Sequence, residues 1–232
     1  LTKAGCNQGA CHGAAAGKGG FRLSLFGYDP DADYLALTRW GRGRRVTRSD
    51  PDRSLILRKP TFQVRHGGGK RFDLGSPQYR LLRDWIAGGL PAPSSKEPSV
   101  ARLEVLPAVR TLALGQSQRF IVRAHYSDGT QRDVTGQTLF TASDETTAAV
   151  DPSGEAKAAG PGEGAVVIRY RGLVATARVI SPFKVESSEL RVERSGGPGR
   201  ALNSQPSTLN PIDRLVARKL AALGLQPAAP CS

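Results

Sequence analysis

The 232-residue chain sets 33 Lys and Arg against 20 Asp and Glu, a formal net charge of +13, with 39% hydrophobic and 23% charged residues. That balance excludes a disordered tail, and a membrane span is excluded because no apolar run reaches the about 18 residues a spanning helix needs. The charge predicts acidic partners but not nucleic acid, since no helix-turn-helix, zinc-finger or aromatic-rich RNA-binding pattern accompanies it and aromatics make up only 6%.

The opening residues contain no charged stretch leading into an apolar one, so no signal peptide is expected in residues 1–20, and the chain begins without Met, as a piece of a longer polypeptide does. A short helix is expected around residues 1–12, loosening at Gly17, Gly19 and Gly20. FRLSLFGY (21–28) alternates and predicts a strand or extended loop, and PDADYLALTRWG predicts a short helix capped by Asp31 or Asp33 and running to Trp40. The clearest helix is SPQYRLLRDWIAGG. Ser76 caps it, Pro77 leads, Gly88 and Gly89 stop it, and Tyr79, Leu82, Trp85 and Ile86 share one face.

LPAPSSKEPS (90–99) is a linker by composition. Beyond it, short β-branched runs broken by Asp-Gly, Ser-Gly and Pro-Gly predict an antiparallel sandwich over about residues 101–181. RSGGPGRALNSQPS is again linker-like, and NPIDRLVARKLAALGLQPAAP predicts an amphipathic helix, capped by Asn210, with a stripe of Ile212, Leu215, Val216, Leu220 and Leu223. The chain thus reads as residues 1–92, a linker over 93–100, a β domain over 101–182, and a linker plus the first helix of a truncated further domain over 183–232.

GCNQGACHG carries the chemistry. Cys6 and Cys11 are separated by four residues, and His12 follows the second thiol. One reading is covalent haem: two thiols add across the porphyrin vinyl groups and the adjacent histidine ligates the iron, with the usual C-x-x-C-H loop lengthened. A second is zinc held by both cysteines and one or two histidines, made awkward by adjacent Cys11 and His12. A third is a disulfide or two idle thiols. The appended histidine favours haem. The chain contains no Met, so a second axial ligand from this chain reduces to His66 or His125. His66, in RHGGGK, is preferred because Gly67, Gly68 and Gly69 let backbone approach a flat ring; His125 reads as an ordinary strand residue. Two histidine ligands imply a lower potential than His with Met.

KAGCNQGACHG, GKGGFRLSLFGYDPDADY, GRRV, DRSLILRKPTFQVRHGGGKRF and YRLLRDWIAGGLP together resemble the N-terminal cytochrome c-like region of large secreted planctomycete multidomain proteins. The resemblance implies a haem c module, with Cys6 and Cys11 as attachment points, His12 as proximal ligand and His66 as distal ligand. AHYSDGTQRDVTG and GEGAVVIRYRGLVATARVIS resemble a bacterial Ig-like group 2 domain, and the last helix is similar to the start of the next domain in the planctomycete proteins. The fold class expected is therefore a mainly α cytochrome c-like haem domain followed by an all-β immunoglobulin-like sandwich.

Of the Arg series 39, 42, 44, 45 and 48, Arg44 and Arg45 are the candidate partners for haem propionates, with Lys70 and Arg71 as a second option. The series also offers a face for an acidic redox partner. Trp40 and Trp85 read as core, Trp85 near the porphyrin edge. HGGG is also an oxyanion-hole sequence of esterases, but no G-x-S-x-G elbow accompanies it. The expectation is an exported electron-transfer module, periplasmic or at the cell surface, with one covalent haem c, attached to further C-terminal domains and more a carrier than a catalyst. The alternatives are a binding or scaffold protein with structural zinc, or an open-site haem module that binds a small ligand.

Overall fold

The computed structural model describes residues 1–183 and 211–226. Four α-helices occur there: α1 (Pro30–Thr38), α2 (Leu55–Arg58), α3 (Pro77–Ala87) and α4 (Pro211–Ala222). Ten strands accompany them: β1 (Val100–Leu106), β2 (Val109–Thr111), β3 (Ser117–Arg119), β4 (Ile121–Tyr126), β5 (Gln131–Asp133), β6 (Leu139–Ala142), β7 (Ala148–Val150), β8 (Glu155–Ala158), β9 (Gly162–Tyr170) and β10 (Leu173–Ser181). The strands form three sheets, ordered β1-β4-β5, β2-β10-β9-β6 and β3-β8-β7. Period-two burial explains them: along β9, Gly164, Val166, Ile168 and Tyr170 turn inward. Arg171 and Gly172, both at positive φ (47° and 78°), form the tight connection from β9 to β10, the conformation that suits a two-residue hairpin.

The chain divides into two compact units: Leu1–Val105 with Ile121–Phe140 and Ile168–Ala175, and Leu106–Phe120 with Thr141–Val167 and Thr176–Ser232. In the first, a core of Leu23, Ala36, Leu37, Ile56, Leu57, Phe72, Tyr79, Ile86 and Leu90 gathers the three N-terminal helices. In the second, β8 pairs antiparallel with β3 and β7, and β10 pairs parallel with β2. Glu163 there meets both Arg178 and Lys219 of α4, and Leu223 accepts the Phe183 N–H.

This architecture corrects the expected fold class. Among the described residues strand accounts for 27% and helix for 23%, and the strands lie in three sheets, not in one two-layer sandwich behind a mainly α domain. The expected helix over residues 1–12 is a series of turns. Ala4, Gly5, Gln8 and Cys11 each bond the carbonyl three residues back, and Gly5 sits at φ 72°, which an α-helix cannot contain. Gly5, Gly9 and Gly13 in one short stretch remove the helical bias that the small residues between them supply. Residues 21–28 are extended backbone and a short 3-10 helix (Leu25–Gly27), not a strand.

The α3 helix matches its expected bounds: Ser76 accepts the Tyr79 N–H, and Tyr79 and Ile86 are buried with Leu82 and Trp85 packed beside them. In α1 the cap is Asp29, which accepts from Ala32, and Asp33 instead takes the Ser24 N–H and hydroxyl. Pro211 opens α4 as expected, with Ile212, Leu215 and Val216 exposed; Asn210 and Cys231 lie outside the described residues. No described helix is long and apolar enough to cross a membrane.

Candidate functional site

The thiol-bearing loop is held by its own backbone. The Cys6 carbonyl accepts the His12 N–H at 3.0 Å, and the Gln8 carbonyl accepts from both Cys11 and Gly13. A Cβ at Gly13 would stand 2.1 Å from the Asn7 carbonyl oxygen, so this close approach requires glycine. The His12 carbonyl in turn accepts from Leu23, which ties the loop to the core.

A cavity of about 530 Å³ opens against this loop, and Cys6, Cys11, His12, Arg44, Arg45 and His66 all line it. These six residues therefore reach one space, of the size that small-molecule and cofactor sites have, whereas Lys70 does not line it. Both cysteines are free thiols, Cys6 buried and Cys11 half-buried. Burial pushes the Cys6 thiol above its ordinary pKa. Phe21, Leu23, Leu55, Ile56 and Pro60 supply apolar wall.

The rings of His12 and His66 lie nearly parallel, 14° apart in plane, with centres separated by 6.2 Å. His12 Nδ1 is 3.0 Å from the Phe21 carbonyl oxygen and His66 Nδ1 is 2.8 Å from that of Gly69. A carbonyl only accepts, so each Nδ1 donates, and in the neutral ring this tautomer leaves the lone pair on Nε2. Burial lowers the His12 pKa, which favours the neutral, ligating form.

Cations also border the cavity: Lys18, Arg44, Arg45, Lys59 and Arg71. They do not play one role. Arg45 is 6% exposed, and its guanidinium donates to the carbonyls of Gly20, Ala36 and Trp40 while lying 4.4 Å from the centre of the Phe21 ring. It binds three backbone segments together, and its burial lowers its pKa. Arg44 beside it is exposed. Arg71 reaches the Cys11 sulfur at 3.2 Å.

Sequence reasoning missed Leu55, Ile56 and Lys59, although their i, i+1, i+4 spacing places them on one face of a helix. Trp85 does not line the cavity: it stacks edge-on against Tyr34 and donates to the Pro91 carbonyl. Trp40 is 50% exposed, not core. His125 lies in β4, bonded to Glu104 and Arg102.

The donor set fits a haem. Two thiols and two imidazoles whose ring centres are 6.2 Å apart border one space, and these are the residue types that would attach and ligate the group. Zinc fits less well, because no group of three or more His, Cys, Asp and Glu side chains is placed to hold a metal ion among the described residues.

No protein-family model matches the chain, and no curated protein matches it. Among solved structures, domains 4 and 5 of the S-layer protein SbsC share 20% identity over 37% of this chain and 53% of theirs, with a TM-score of 0.33. Domains 5-6 of the same protein share 20% identity over 37% and 45%, also at 0.33. The chain thus spans about half the length of these structures. Similarities of this size do not bear on the cavity.

Proposed function

We propose that the chain is an exported electron-transfer module holding one haem c, attached through Cys6 and Cys11, with His12 and His66 as axial ligands. The observation that carries this reading is the pair of near-parallel imidazoles, 6.2 Å apart, in a cavity that both thiols line. The bound haem supplies one-electron chemistry between ferric and ferrous iron.

The chain's own residues do the rest. The Phe21 and Gly69 carbonyls fix the imidazole planes and raise the basicity of each Nε2. Two such donors favour the ferric state and lower the potential relative to a His with Met pair. Leu23, Leu55 and Ile56 would shield a bound haem from water, and exposed Arg44, with Lys18, would supply charge for its carboxylates. Arg45 serves by holding the wall, its donors being committed to backbone carbonyls. His12 and His66 would both ligate the iron, leaving the group suited to carrying electrons more than to catalysing a reaction on a bound substrate. The excess of positive charge selects an acidic redox protein as partner. Covalent haem attachment takes place outside the cytoplasm, which puts the chain in the periplasm or at the cell surface. The resemblance of residues 2–91 to the planctomycete haem region supports the same cofactor.

Intact mass tests the reading. Protein matured in a host with haem-attachment machinery is expected to exceed the bare polypeptide by one porphyrin, and its colour should survive acid-acetone extraction. A mass equal to that of the polypeptide overturns the proposal.

A further inference from the structure

The thiol-bearing loop is held from outside as well as from within, and the outer contacts come from the β-rich segments of its own compact unit. Lys3, in the turn that leads into Cys6, donates to the Thr138 carbonyl at 2.7 Å, and its ammonium stands 5.3 Å from the centre of the Phe140 ring. Thr138 is 0% exposed and Phe140 is buried, so this anchor belongs to a packed core. A second contact comes from β9, where the Arg169 guanidinium lies 4.7 Å from the centre of the Phe26 ring. Phe26 adopts a φ of 55°, uncommon for an aromatic residue, and such backbone persists where surroundings enforce it.

These anchors connect to the chemistry through short bonds. The Phe26 N–H donates to the Asn7 carbonyl at 3.1 Å, the Thr2 hydroxyl donates to the Phe26 carbonyl, and Asn7 Nδ2 donates to that hydroxyl. Asn7 is next to Cys6, and the Cys6 carbonyl accepts the His12 N–H. The Asn7 Oδ1 atom is buried without a hydrogen-bond partner among the described residues, a cost that the loop bears only if it is held in place by other contacts.

We infer that Thr138, Phe140 and Arg169 are positioning residues for the cavity: the segments that bear them, Thr138 just before β6, Phe140 in β6 and Arg169 in β9, set the place of Cys6 and, through its carbonyl, of His12. The strand segments Ile121–Phe140 and Ile168–Ala175 are then part of the site's scaffold, not a spacer behind it. The inference goes beyond the haem reading and stands without it, because every contact is made by the polypeptide alone.

The test uses the full chain without cofactor. Lys3→Met and Arg169→Gln are prepared separately, and native-state alkylation of each cysteine by iodoacetamide is followed by peptide mass spectrometry. Cys6, buried in the wild type, is expected to label several-fold faster in both variants while Cys11 keeps its rate. The imidazole nitrogen resonances of His12 should move, with those of His125 unchanged. Arg169→Lys, which retains a cation over Phe26, should restore most of the Cys6 protection. A variant that unfolds, seen by circular dichroism, is set aside and the other decides. Unchanged Cys6 labelling, or equal acceleration of both thiols in a folded variant, overturns the inference. A missing porphyrin mass would sink the haem reading and leave this result standing.

Discussion

Gly68 and His66 show how finely single residues set this site. Gly68 has no positive φ, so its backbone accepts alanine, yet a Cβ there would lie 3.0 Å from His66 Cε1 and 3.4 Å from His66 Nε2. The added methyl must push the ring away from its place opposite His12. Gly68→Ala and His66→Ala therefore form a graded pair in haem-loaded protein. Under the haem reading, His66→Ala is expected to retain covalent haem and, when reduced, to bind carbon monoxide more tightly than the wild type; Gly68→Ala should bind it with intermediate affinity. Titration of the reduced proteins, followed by absorbance, decides. Wild-type binding without loss of His66 ligation would instead identify an open-site haem. HGGG singled out His66 in the sequence, and the structure places that side chain at the cavity, but how the glycines hold it there was only half readable. Gly67 and Gly68 line the cavity, whereas Gly69 adopts a φ of 69° and its carbonyl accepts the His66 Nδ1–H.

At the scale of elements, α3 is the piece that local signals specify best and that tertiary contacts still exploit. Its Tyr79 hydroxyl donates to Asp52 at 2.5 Å, in the short 3-10 helix Pro51–Arg53, and Arg83 one turn on pairs with the same carboxylate. Burial, and then the bond to Asp52, push the Tyr79 phenol up to about 12. The neutral phenol is favoured in the folded state, so the stability it contributes is fully present below about pH 10, the ordinary tyrosine value, and is lost as pH rises through about 12. Urea midpoints measured from neutral to strongly alkaline pH should fall across that window. Tyr79→Phe should flatten the fall and lower neutral-pH stability by about 1 kcal/mol. An equally steep alkaline loss in Tyr79→Phe would assign it to another group. Elsewhere the element signals misled for an identifiable reason: residues 1–12 carry helix-forming residues, but Gly5 at positive φ and the Cys6-to-His12 bond close the chain into turns.

For the molecule as a whole, the charge of +13 is the property most directly tied to partners. Opposite charges steer association, and salt screens them over about 10 Å at 0.1 M ionic strength. If the module serves an acidic redox protein, the second-order rate of electron transfer to such a partner should fall by about tenfold or more between low and high salt, while the rate to a neutral small oxidant stays flat. Stopped-flow absorbance measures both; equal salt dependence would remove the docking idea. The same scale explains why the expected fold class failed. Turn signals placed strands well within residues 100–181, but runs of three to nine residues carry no instruction on how to assemble, and the pairing of β2 with β10 joins residues far apart in the chain.

The amino-acid sequence by itself determined the donor set: two thiols and a following histidine, a glycine-flanked second histidine, no methionine, and an excess of positive charge, because covalent and coordination chemistry depend on residue identity and short spacing. It also determined α3, whose cap, leading proline and terminal glycines are local. Tertiary structure decided what proximity requires. It brought residues 6–12 and 66 to one cavity, spent Arg45 on backbone carbonyls, and set Lys3 and Phe26 against Phe140 and Arg169. Such contacts join residues tens of positions apart, and the packing that selects them is a property of the folded whole, which no short stretch encodes.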